Sequence, residues 1–159
     1  MIALADESAS QELATWLASH LDVGDVLCLR GDLGAGKTTL ARFLIHAMQS
    51  PEAQDTVTSP TFTLVQPYEV QIKAGHKATL YHFDLYRVED ESELEEAGLD
   101  DALQHGICVI EWPDIASNYL PAGHLTLELR QTGQSGRECQ LHGTGKWQRL
   151  ITEAQHALD

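Results

Sequence analysis

Val26-Leu27-Cys28-Leu29-Arg30-Gly31-Asp32-Leu33-Gly34-Ala35-Gly36-Lys37-Thr38-Thr39-Leu40 is the stretch that sets the fold. The uninterrupted apolar run from Val26 to Leu29 reads as a short strand buried on both faces. Directly behind it, Gly31 to Thr38 fits G-x-x-x-x-G-K-[ST] at each fixed position. Leu40, Phe43, Leu44 and Ala47 then recur at helical spacing up to about Met48. Strand, glycine loop and helix, in that order, make a phosphate cradle. The glycines let backbone N–H groups turn inward, and a side chain at Gly36 would block close approach of a ligand. The following helix adds the positive end of its dipole. Gly31, Asp32, Leu33, Gly34, Ala35, Gly36, Lys37, Thr38 and Thr39 are therefore expected to hold ATP, with Lys37 on the β- and γ-phosphates and the Thr38 hydroxyl on Mg2+. The plain alternative is a glycine turn with a solvated lysine, but at average glycine usage a chance match in such a chain is under about one in a hundred.

Outward from this centre, apolar spacing predicts the remaining elements. Ser8 with Gln11 resembles a capping box, and Leu13, Trp16, Leu17 and Leu21 predict a first helix from about Ala9 to His20. Ser50 to Thr61, with Pro51 and Pro60, reads as a loop. Phe62 to Tyr68 and Ala78 to Leu85 read as a strand pair, and Ser92 to Ala97 as a short helix with Gly98 as its C-cap. Leu99 to Gln104 adds another helical turn. Ile107 to Ile110 is a second strand of the doubly buried kind, stopped by Pro113. Leu125, Leu127 and Leu129 alternate with polar residues, Gly133 and Gly136 mark a turn, and Cys139 to His142 returns, predicting an antiparallel hairpin. Trp147, Leu150, Ile151, Ala154 and Leu158 predict a last amphipathic helix. The expected fold is a single α/β domain of P-loop NTPase type, its mainly parallel sheet flanked by helices and completed by the C-terminal hairpin.

A phosphate loop of this kind needs a further carboxylate on the metal side, usually at the end of a neighbouring buried strand. Two acids stand there, Glu111 after Ile107-Cys108-Val109-Ile110 and Asp84 after Leu80-Tyr81-His82-Phe83. Glu111 holds the metal or orients the attacking water. Asp84 holds a metal-bound water or caps the turn from Leu85 to Arg87. Trp112 is expected near the ligand crevice, its bland reading being a core-edge aromatic, and Thr58 to Thr61 stands where switch segments sense a γ-phosphate. Arg137 either approaches the phosphates from the hairpin or, the preferred reading, forms a surface ion pair. The eight histidines show no zinc spacing.

The 24 acidic and 10 basic residues give a net charge of -14. Nucleic-acid affinity rests on Lys and Arg neutralising phosphates, so direct RNA binding is disfavoured, whereas docking on a basic protein partner is not. No apolar stretch is long enough for a membrane span, Asp6 and Glu7 stand where a secretory signal would be basic, and the three cysteines lack Cys-x-x-Cys spacing. A cytoplasmic protein with reduced thiols is expected.

Four stretches together carry a resemblance: Gly31 to Thr39, Ser59-Pro60-Thr61-Phe62-Thr63-Leu64-Val65, His82-Phe83-Asp84-Leu85-Tyr86-Arg87, and Ile110-Glu111-Trp112-Pro113. In order and spacing the chain resembles the TsaE family, formerly YjeE, the bacterial ATPases of threonylcarbamoyladenosine synthesis on tRNA. Gly136-Arg137-Glu138 agrees more weakly, and Asp114 stands where the family often has Glu. The resemblance implies magnesium-dependent ATP hydrolysis, slow in isolation, and work on TsaB-like and TsaD-like proteins, which modify the adenosine 3′ of the anticodon. It implies contact with tRNA only through that complex. It also implies Thr38 and Glu111 as metal positions, Lys37 as phosphate ligand, and Trp112 as a residue needed for activity.

Overall fold

Alternate residues of β2 (Val26–Arg30) and β5 (Ile107–Glu111) enter two different apolar layers, which is why neither strand has a polar face. Leu27, Leu29, Ile107 and Val109 pack with α1 (Glu7–Ala18), α2 (Lys37–Met48) and α5 (Lys146–Leu158). Val26, Cys28, Cys108 and Ile110 pack on the other side with α3 (Ser92–Glu96) and α4 (Leu99–His105). The computed structural model describes residues 1–51 and 63–158. The expected switch loop, Thr58 to Thr61, lies outside the described residues, as does Phe62 at the start of the second expected strand.

Five further strands complete one mixed sheet: β1 (Ile2–Leu4), β3 (Val65–Gln71), β4 (Lys77–Asp84), β6 (Leu125–Thr132) and β7 (Gly136–His142). Its order is β1-β7-β6-β2-β5-β4-β3. The four central strands, β6, β2, β5 and β4, are parallel, and the outer pairings are antiparallel. The expected α/β architecture with an antiparallel C-terminal hairpin is the one observed. β2 lies between β6 and β5, so the loop leaving its end opens at the centre of the sheet's carboxyl edge.

Gly31 is required where that loop starts. Its φ is 144°, and a Cβ there would stand 2.5 Å from the Leu129 carbonyl oxygen of β6. Gly36, with φ 102°, then opens α2.

Three details differ from the sequence reading. The first helix starts at Glu7, because the Asp6 carboxylate accepts the Ala9 N–H at 3.0 Å, so Asp6 rather than Ser8 is the cap. β1 was not foreseen: Ile2 and Leu4 are buried and Ala3 exposed, an alternation over only three residues. β3 starts at Val65 and continues to Gln71, and being an edge strand it tolerates Pro67. Among the described residues no helix is long and apolar enough to cross a membrane.

Replacing the helix cap separates the two readings of α1. Asp6→Ala is expected to lower the unfolding free energy by about 1 kcal/mol, and Ser8→Ala by under about 0.5 kcal/mol. Urea unfolding checks this, and a larger loss at Ser8 would restore the capping box.

Candidate nucleotide-binding site

The parallel registers of β2, β4 and β5 bring the loop and both candidate acids to one end of the sheet. Leu29 is opposite Glu111, and Asp84 is opposite Glu111 on the other side. There an open cavity of about 730 Å³ is lined by Leu33, Gly34, Gly36, Lys37, Thr38 and Thr39 of the loop. Asp84, Tyr86, Glu111, Trp112 and Arg137 face it from the other elements. Gly31, Asp32 and Ala35 line a separate recess against β6.

Glu111 is only 2% exposed, and both carboxylate oxygens are bonded. Oε1 accepts from the Thr38 hydroxyl at 2.7 Å, and Oε2 accepts from His82 Nε2 at 2.7 Å. An ionised carboxylate is buried only where such partners replace water. The last residue of β5 is thereby tied to the first turn of α2.

Lys37 is 5% exposed and folds back on its own loop, donating to Gly31 O at 2.6 Å and Asp32 O at 2.9 Å. Its ammonium lies 4.1 Å from the centre of the Trp112 ring, a cation–π contact. Burial lowers the Lys37 pKa from its ordinary value, opposed by the charges of Glu111, Asp84 and Asp32. Trp112 is the one non-glycine residue with positive φ among the described residues, at φ 55° and ψ 60°. That conformation costs on the order of 1–3 kcal/mol and aims the ring back over the loop. Tyr86 packs on it with ring centres 4.9 Å apart. Trp112 is thus both half-buried against the second apolar layer and part of the cavity wall, which joins its two readings.

Asp84 faces the same cavity, and its carboxylate also accepts the Tyr86 N–H at 3.1 Å, so it caps the turn as well. Burial holds its carboxyl above the ordinary range; the Tyr86 N–H opposes this and the Glu111 charge adds to it.

Arg137 corrects a preference of the sequence reading. Among the described residues it has no acidic partner. It donates to its neighbour Gly136 O at 2.9 Å and to Gly34 O at 3.4 Å, with Nε 3.7 Å from where a Gly36 Cβ would stand. The hairpin therefore brings a guanidinium to the lip of the loop. β1 pairs with β7 there, Leu4 opposite Arg137.

A family model described as threonylcarbamoyl adenosine biosynthesis protein TsaE matches residues 4–139, a span that contains every group just described. The chain belongs to the TsaE family. The tRNA threonylcarbamoyladenosine biosynthesis protein TsaE of Bacillus subtilis (strain 168) is 34% identical over 145 residues, 91% of this chain and 85% of the relative. That of Haemophilus influenzae is 39% identical over 114 residues, 71% of this chain and 67% of the relative. The crystal structure of Bacillus subtilis YdiB superposes with a TM-score of 0.71 at 27% identity, covering 99% of this chain and 98% of that one.

Within this TsaE chain, spacing alone singled out neither Tyr86, which lines the cavity, nor His82, which is buried behind it on Glu111. His82 is a lone histidine between Tyr81 and Phe83, and only the strand register shows that it reaches Glu111. The three cysteines are all free and buried, and burial pushes their thiols up to about 12, so they are inert thiols near neutral pH. Among the described residues no cluster of three His, Cys, Asp or Glu forms a protein-only metal cage. The oxygen donors of Thr38 and Glu111 nonetheless suit magnesium, which takes one or two protein oxygens and completes its shell with phosphate and water.

Truncating Glu111 tests its place in the site. Glu111→Ala orphans the Thr38 hydroxyl and His82 Nε2, an expected loss of about 1–3 kcal/mol in unfolding free energy. Glu111→Gln is expected to lose less, because its oxygen accepts from His82 while its amide donates to the Thr38 oxygen. Urea unfolding of both variants measures this; an alanine variant as stable as wild type would contradict the network.

Proposed function

We propose that this chain binds ATP with Mg2+ on Gly31 to Thr39, hydrolyses it, and so sustains turnover of a TsaB-like and TsaD-like pair that makes threonylcarbamoyladenosine in tRNA, in the cytoplasm. The observation that carries this reading is the buried Glu111 carboxylate bonded to the Thr38 hydroxyl at the first turn after the glycine loop.

In this mechanism the backbone N–H groups of the loop cradle the phosphates, aided by the α2 dipole. The Lys37 ammonium exchanges the Gly31 and Asp32 carbonyls for β- and γ-phosphate oxygens, the Trp112 ring steadying its approach. Thr38 and Glu111 would hold magnesium, whose charge would offset that developing on the phosphoryl oxygens. Glu111 also orients the attacking water. Asp84, its carboxyl pKa raised by burial, is the alternative acceptor of the water's proton. Arg137 adds a cation at the Gly34 side of the phosphates. The net charge of -14 disfavours solitary tRNA binding, so tRNA is met through the partner complex.

Lys37→Ala is expected to weaken ATP binding roughly ten- to a hundredfold, the loss of one charge-assisted contact, as read by calorimetry. Glu111→Gln should keep ATP binding while slowing hydrolysis by about 10² to 10⁴ if Glu111 is the general base. Equal loss of binding and activity would make it chiefly a metal ligand, and loss of neither would give the role to Asp84.

The partner reading is tested by reconstitution with each component omitted in turn, measuring phosphate release and threonylcarbamoyladenosine formation. The chain alone should hydrolyse slowly, and the TsaB-like and TsaD-like pair should accelerate it. Trp112→Ala should impair the accelerated rate more than ATP affinity. Repeated product formation that proceeds equally well without this chain, or tight tRNA binding by the chain alone, would contradict the proposal.

A further inference from the structure

His82 is the one fully buried histidine among the described residues, 0% exposed, on the same face of β4 as Leu80 and Asp84. Its neighbours on that face belong to the apolar layer under α2, where a leucine or phenylalanine would pack without burying a polar ring. What the imidazole does there is specific. It crosses diagonally from β4 to β5, since its register partner is Val109, and donates Nε2–H to Glu111 Oε2 at 2.7 Å. Nδ1 has no partner among the described residues. The ring is thus held for one bond alone.

That bond decides where the other carboxylate oxygen points. Glu111 has two neighbours competing for it: the Thr38 hydroxyl, which holds Oε1, and the Lys37 ammonium, whose charge is already felt at this site. With Oε2 fixed by His82, Oε1 stays on Thr38 and Lys37 stays free for the loop carbonyls and the phosphates. Without His82 the carboxylate can turn, and an unpaired buried oxygen is drawn to the nearest ammonium.

We propose that His82 is a positioning residue that acts through Glu111, aligning its carboxylate with the Thr38 hydroxyl so that the pair takes magnesium in the geometry the nucleotide needs. The inference rests on the ATP-and-magnesium reading above. Ligand-supporting groups of this kind are typically worth about ten- to a hundredfold in metal affinity or activity.

The test compares His82→Gln with His82→Asn, with His82→Leu as a third variant. Glutamine places its amide N–H where imidazole Nε2 stands and can still donate to Glu111; asparagine places it near Nδ1 and cannot. Three quantities are measured: ADP affinity in EDTA, the magnesium concentration that half-maximally tightens ADP binding, and the rate of phosphate release from ATP. His82→Gln should stay close to wild type in all three. His82→Asn and His82→Leu should keep ADP affinity in EDTA while requiring about ten- to a hundredfold more magnesium and releasing phosphate slower by a similar factor. If His82→Leu fails to fold, the glutamine and asparagine variants decide the matter. Asparagine behaving as glutamine does, or a loss of ADP affinity in EDTA with an unchanged magnesium requirement, would overturn the positioning role. A wild-type chain whose ADP binding ignores magnesium would instead overturn the ATP-and-magnesium reading on which the inference stands.

Discussion

A carboxylate buried at the end of a central strand is the constraint around which this molecule is arranged. Glu111 sits between β2 and β4, is almost wholly removed from water, and is bonded on both oxygens. Burying that charge is tolerable only if its partners are fixed in place. One partner, Thr38, begins α2, so the phosphate loop cannot shift far from β5. The other, His82, belongs to β4, so the same carboxylate also ties β5 to its neighbouring strand. The fold and the site share one interaction.

The groups around this centre are balanced against one another. Lys37 is held by loop carbonyls on one side and the Trp112 ring on the other, near three acidic residues that keep its charge tolerable. Trp112 reaches that position only through a left-handed backbone, a strain placed directly after the buried Glu111. Strain at such a point is supported by the flanking structure: the Trp112 N–H bonds Leu29 O, and Pro113 opens the following short helix. Arg137 closes the opposite lip without an acidic partner among the described residues. The cavity is therefore lined by cations at the loop and by acids at the strand ends, the division that nucleotide and metal together require.

How much of this was legible in the sequence follows from the range of the contacts involved. The strand, glycine loop and helix around Gly31 to Thr38 were legible because their pattern is local and their spacing is fixed by the backbone. The same holds for the apolar runs of β2 and β5, where burial on both faces leaves its mark residue by residue. Glu111 and Asp84 could be found because acids ending apolar strands are visible in order, with Glu111 preferred for its purer apolar run, but their roles could not be divided, since both end strands at the same level. His82 was hidden because its bond is a diagonal across two strands and depends on register, which single-chain periodicity does not encode. Arg137 was misjudged for a related reason: pairing of β6 with β7 decides which hairpin residue meets the loop. β1 is too short for alternation to stand out, and Asp6 and Ser8 are equally good caps until one of them bonds Ala9.

The proposed function requires a single nucleotide site whose affinity depends on magnesium through Thr38 and Glu111. Calorimetric titration of the wild-type chain with ATP, in magnesium and again in EDTA, addresses it most directly. One saturable site per chain, tightened when magnesium is present, is the expected result. Absence of saturable binding, or identical affinity in the two conditions, would contradict it.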